Sequence, residues 1–296
     1  MSTFLFALAA VAASAHAATP DDTDRGHLWV RQSAAIAGWP TGALSDSRAQ
    51  LRTPLHRSES VLFQDTVAGI GARARISPAF SEAGVHATIA PIAIFDVNLF
   101  VGGITYWDGG FAPLPTSERG GTLPDSRAAR AGENVATRGM VVSAQPTLKA
   151  KVGRVIVFDS WTIRQQRLSP TSAETAQPWV YEPFSDLVLA WEDTTFEHQP
   201  GVLVDIVPDE GGAWLRVGGT MRDRWSLETG DRSAAAGALV ATKPGASKAV
   251  PTIAAMGLAY VIDDERVGAT PYVGLQAAWS FTRGLRRAGP APVASL

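Results

Sequence analysis

The sequence predicts an all-β fold, and three observations predict it. The first is a two-residue alternation in segments about ten residues long. In Met140–Val152, Met140, Val142, Ala144, Pro146, Leu148, Ala150 and Val152 are apolar, while Ser143, Gln145, Thr147, Lys149 and Lys151 between them are polar. Successive strand side chains point to opposite faces, so such a segment has one apolar and one polar face. The second is the rhythm of connections from residue 91 onward, where tight turns alternate with long loops. The third is that no long apolar helical run occurs in the body of the chain. Strands of about ten residues suffice to cross a bilayer when tilted, and short turns on one side with long loops on the other mark a membrane-spanning barrel. The expected architecture is an antiparallel transmembrane β-barrel of about ten strands, within a range of eight to twelve.

The elements follow in chain order. Phe4–Ala15 is apolar or small, and Ala15-His16-Ala17 fits a small-x-small cleavage pattern, so residues 1–17 are expected to be a secretory signal peptide. Its first segment carries no Lys or Arg. Residues 18–60 mix charge, Pro and Ser with little pattern and are expected to form an N-terminal extension or partial plug. The barrel is expected over 61–283, with strands near 66–76, 80–90, 96–107, 138–152, 155–165, 194–207, 214–225, 252–262 and 269–283. Long loops are expected at 108–137, 166–183 and 226–248, and tight turns at 91–95, 153–154, 208–212 and 263–266. Barrels of this type have an even strand number. The remaining strand is expected either in Phe184–Trp191, where Leu187, Leu189 and Trp191 alternate, or in His27–Ala37. Residues 284–296 form a C-terminal tail.

Composition narrows the class. The chain has 296 residues, no cysteine and a formal charge of −2. Disulfides, thiol nucleophiles and Cys-built metal sites are excluded. Lys and Arg form no block that points to nucleic acid. A mean hydropathy of +0.04 is too low for a helical membrane protein but ordinary for a barrel, where only alternate residues meet lipid.

On these features the chain resembles Gram-negative outer-membrane β-barrel proteins. The last strand adds to the likeness: Tyr272-Val273-Gly274-Leu275-Gln276-Ala277-Ala278-Trp279-Ser280-Phe281 is similar to the glycine-then-spaced-aromatic ending of that family, although here the chain runs on from Thr282 to Leu296. The resemblance implies export to the outer membrane, contact with its lipid, and handling by the barrel-assembly machinery. Trp107, Trp161 and Trp225, near strand ends, and Trp279 with Phe281 fit the interfacial aromatic girdles of such barrels.

The search for chemistry yields no catalytic residue, metal ligand or cofactor site, and no enzymatic activity is expected. His198 shares the face of Phe196 and Val202, with no matching Ser constellation, so a lipid-modifying role is disfavoured. Asp263-Asp264-Glu265 lacks the alternating spacing of a calcium loop. The lumen face is the one place with a pattern: Arg73, Arg75, His86, Asp96, Lys149, Lys151, Glu197, Asp205, Arg216, Arg222 and Arg224 are expected to line it. Arg73, Arg75, Arg222, Arg224 and Glu197 fall near the external mouth, and Lys149 and Lys151 near the periplasmic end. A barrel this small is nearly filled by side chains. A filled, structural or loop-displaying barrel is therefore expected ahead of a small anion-leaning pore. The long loops are the expected contact for an extracellular partner.

Overall fold

The computed structural model describes residues 26–284, except positions 40–41, 57–59, 61–62, 64–65, 108–111, 118–133, 172–176, 183–184, 186, 211, 246, 248 and 264–271. The expected signal peptide, most of the C-terminal tail and most of the expected turn at 263–266 lie outside the described residues.

Twelve antiparallel strands close into one barrel. They are β1 (His27–Trp39), β2 (Gly42–Pro54), β3 (Val67–Ile76), β4 (Phe80–Ile92), β5 (Phe95–Tyr106), β7 (Thr137–Val152), β8 (Val155–Pro170), β11 (Glu192–Glu210), β12 (Ala213–Ser226), β13 (Arg232–Lys243), β14 (Thr252–Asp263) and β15 (Tyr272–Gly284). Each pairs with its neighbours in the chain, and β1 closes the ring against β15 in a register running from His27↔Gly284 to Ala37↔Gly274. Three short strands, β6 (Leu114–Thr116), β9 (Trp179–Glu182) and β10 (Leu187–Ala190), form a separate sheet in the order β10-β9-β6.

Several expectations are corrected. The strand count is twelve, not ten. The segment expected as an extension or plug contributes β1 and β2, both barrel strands. Of the two places considered for the remaining strand, His27–Ala37 is in the barrel, whereas 187–190 belongs to the small sheet. The loop expected over 226–248 contains β13. That added strand reverses the direction of the strands after it, so β14 runs towards the long-loop end and β15 runs back towards the end where β1 starts.

The physical basis of the alternation is visible strand by strand. On β7, Met140, Val142 and Leu148 are exposed, whereas Val141, Gln145 and Thr147 are buried. On β3, Ile70 and Ile76 face outward while Arg73 and Arg75 are buried. Barrel polarity follows from the connections. One end carries both strand termini, His27 and Gly284, with the tight turns 93–94, 153–154 and 211–212. The other carries the long connections 107–136 and 171–191. At the 153–154 turn Gly153 adopts φ 60°, a conformation glycine takes without a Cβ penalty. The interior is zoned. An apolar cluster of Ile156, Phe158, Leu203, Trp214, Leu239, Met256 and Leu258 covers the wall of β8 and β11–β14. A second, with Phe80, Phe100, Ile104, Tyr106, Val141 and Leu168, lies towards the long-loop end.

Candidate functional site

Polar chemistry is concentrated inside the ring, in groups that strand pairing brings together from non-neighbouring stretches of sequence. On β2 the period-2 run Asp46, Arg48, Gln50 and Arg52 points inward. Asp46 accepts from Arg48 at 3.2 and 2.9 Å and from Arg73 of β3 at 3.2 and 2.6 Å. Gln50 is fully buried, and its Nε2 lies 2.8 Å from His86 Nδ1 and 3.0 Å from Thr88 Oγ1. Glu82 of β4, 1% exposed, takes Arg75 through its Oε1 and Arg164 of β8 through its Oε2 at 2.9 Å. The Glu82–Arg164 contact spans the lumen, because two strands separate β4 from β8 in the ring. At the end with the tight turns, Asp205 binds Arg216 at 2.8 Å and also Lys151. The Arg216 guanidinium lies 4.3 Å over the Trp214 ring. Asp96 binds Lys149 at 3.2 Å.

The small sheet closes the other end. Val180, Leu187 and Leu189 are fully buried and pack with Trp191, whose own carbonyl accepts from Leu168 N at 2.6 Å. The turn 227–231 fastens β10: Asp231 accepts from Val188 N at 2.6 Å, and Thr229 Oγ1 donates to Val188 O at 2.7 Å. Arg224 donates to the carbonyl of Ser185, in the β9–β10 hairpin. Glu182 of β9 lies beside Tyr106 and Arg164. The described strands of the two long loops, β6, β9 and β10, therefore fold back onto the mouth.

Each residue expected at the lumen has a definite place. Arg73, Arg75 and Arg224 line one cavity near the long-loop end with Glu197, which holds Arg224 at 3.2 Å. Arg222 is buried on the same strand as Arg224, and His86 sits deeper, against Gln50. Asp96, Lys149, Lys151, Asp205 and Arg216 are not part of this cavity; they pair at the opposite end. The pattern reading missed Arg31, Asp46, Arg48, Gln50, Glu82, Arg164, Gln166 and Glu182. The Asp46–Arg52 alternation was the available signal, hidden because the opposing face, Ser45, Ser47 and Ala49, is small and weakly apolar.

Outside the ring, His198 Nε2 is 2.7 Å from Asp159 Oδ1, and its ring stacks on Trp161 at 3.9 Å. Among the described residues, no hydroxyl group is a hydrogen-bond partner of His198, and no group of three or more His, Asp or Glu is placed to hold a metal ion.

No family model matches the chain, and no curated protein matches it in sequence. Solved structures do match in shape. The chain is similar to the β domain of the Bordetella autotransporter BrkA, at 11% identity and TM-score 0.45 over 87% of this chain and 100% of that one. It is similar to the translocator domain of the autotransporter NalP from Neisseria meningitidis, at 11% identity and TM-score 0.41 over 95% and 94%. An outer-membrane channel from Pseudomonas putida F1 matches at 13% identity and TM-score 0.38 over 90% and 100%. These neighbours are outer-membrane β-barrels.

Proposed function

We propose that the protein is an integral outer-membrane β-barrel whose lumen is filled by side chains and closed by an inserted sheet, with a structural or loop-displaying role and no catalytic activity. The observation that carries this reading is the inverted distribution of side chains. Ile36, Ile70, Val85, Val101, Met140, Leu148, Val157, Ile163 and Val204 are exposed, while seven arginines of the strands are buried inside. Soluble monomers rarely expose a continuous apolar surface of this extent, and lipid is the solvent that suits it. Aromatics flank this surface: Trp107, Trp161 and the stacked Phe196–Trp225 pair towards one end, Trp279 and Phe281 towards the other.

Two measurements test the reading. Replacing Val142, which is 46% exposed, with arginine is expected to destabilise the barrel in lipid bilayers by about 2–4 kcal/mol if Val142 lies near the midplane. In a water-facing position the same change falls within about 0.5 kcal/mol, and that result would remove the membrane assignment. In planar bilayers the intact protein is expected to give no stepwise conductance. Replacing residues 171–191 by a short Gly-Ser turn removes Glu182 and leaves Arg73, Arg75, Arg164 and Arg224 around the mouth. Any conductance that appears should then be anion-selective by reversal potential, because clustered guanidiniums stay charged and attract counter-ions. Conductance in the intact protein would favour the second reading, an anion-leaning pore. Phospholipid hydrolysis by the purified protein, lost in His198→Ala, would overturn the non-catalytic assignment.

A further inference from the structure

Beneath the β9–β10 hairpin lies a partly enclosed cavity of about 50 Å³, walled by β3, β7, β8, β11 and β12 and roofed by Glu182, Ser185 and Leu187. That is several times the roughly 10–15 Å³ a single water requires. Four arginines line it, Arg73, Arg75, Arg164 and Arg224, together with Ser143, Thr162 and Thr195. The carboxylates behind the wall are divided: Asp46 is shared by Arg48 and Arg73, and Glu82 by Arg75 and Arg164.

Two further atoms define the ligand. Gln166 is 2% exposed; its Oε1 accepts from Arg164 Nε at 3.4 Å, and its Nε2 is a buried donor with no hydrogen-bond acceptor among the described residues. Glu197 is 6% exposed; its Oε2 is held by Arg224, and its Oε1 is a buried acceptor with no hydrogen-bond donor among the described residues. Both residues line the same cavity. Buried polar atoms are normally satisfied, and those that are not point to a missing partner.

We propose that this cavity binds a small oxyanion that carries a proton, of the chemistry of hydrogen phosphate. Its oxygens accept from the guanidiniums and from Gln166 Nε2, as Arg-rich sites do for multiply charged oxyanions. Its hydroxyl donates to Glu197 Oε1. A fully ionised oxyanion of similar size, such as sulfate, has no proton for Glu197, so the carboxylate repels it. The site goes beyond the structural reading above and stands whether or not the barrel conducts.

The test uses the full-length barrel in detergent micelles, with folding checked by heat-modifiable electrophoretic mobility. Isothermal titration with inorganic phosphate at neutral pH and constant ionic strength is expected to show saturable binding, at least tenfold tighter than sulfate and absent with chloride. Gln166→Leu should weaken phosphate by tenfold or more, as loss of a hydrogen bond to a charged group does; Ser143→Ala serves as a milder second variant, expected to weaken it less. Glu197→Gln should narrow the gap between phosphate and sulfate. Lys149→Gln, at the other end of the lumen, should leave both unchanged. Phosphate and sulfate binding equally, no saturable heat, or equal weakening by Lys149→Gln would overturn the proposal.

Discussion

Replacing Glu82 with alanine is expected to destabilise the folded barrel by about 3–5 kcal/mol, the range found when one partner of a buried ion pair is removed. Glu82 is almost inaccessible to solvent and serves two buried guanidiniums, Arg75 from the adjacent strand and Arg164 from across the lumen. Its removal leaves Arg75 beside the charge of Arg73, and leaves Arg164 with Glu182 as a remaining carboxylate partner. The loss should be smaller for Glu82→Gln, which retains acceptor geometry for one guanidinium. Replacing Glu82, Arg75 and Arg164 together by apolar residues of similar volume should recover much of the stability, because the penalty lies in the uncompensated charges. Urea unfolding of the purified barrel reads these differences, and a loss under 1 kcal/mol for Glu82→Ala would show that the network is well hydrated.

The second large effect is expected at Gly218. It faces inward on β12 between Arg216 and Thr220, and a Cβ there would overlap the carbonyl oxygen of Val202 on β11 and approach Leu203 Cα at 2.8 Å. The neighbouring backbone cannot give way without breaking the β11–β12 ladder, which pairs Gly218 with Leu203. Gly71 on β3 has the same relation to Ala49 of β2. Glycine at such points lets one strand fold closely over the next and sharpens the curvature of the sheet. Gly218→Val should therefore abolish the folded, heat-modifiable form, whereas Gly219→Ala, next to it on the outward face where the nearest atom stands at 3.3 Å, should fold with a modest loss. A folded Gly218→Val barrel of wild-type stability would contradict the close approach.

Much of the barrel is legible in the one-dimensional pattern because outward-facing and interior positions differ strongly in polarity. β7, β12 and β3 alternate Met, Val, Leu or Ile against Arg, Lys, Ser or Thr, and the period-2 geometry of a strand turns that contrast directly into two faces. Where the contrast fails, the pattern fails. The outward face of β2 includes Ala43, Ser45, Ser47 and Ala49, with Gln32 of β1 hydrogen-bonded to both serines. β13 is dominated by alanine on both faces, with Leu239 and Val240 its only large apolar side chains. These strands were invisible for the same physical reason: small side chains suit close strand packing but carry little hydrophobic signal.

The sequence by itself determined the all-β class, the antiparallel hairpin order, the outward apolar face, and the inward direction of Arg73, Arg75, Arg222 and Arg224. These depend only on local periodicity and turn chemistry. Only the tertiary structure decided that twelve strands close the ring, that the long loops fold back as a sheet, and that Glu82 meets Arg164. Ring closure sets which strands stand opposite one another across the lumen, and that distance is not written in any local stretch of sequence. Gln166 and Glu197 lie on the paired strands β8 and β11, and what only the tertiary structure decides there is that Arg73 and Arg75 of β3 and the β9–β10 hairpin close the same space around them.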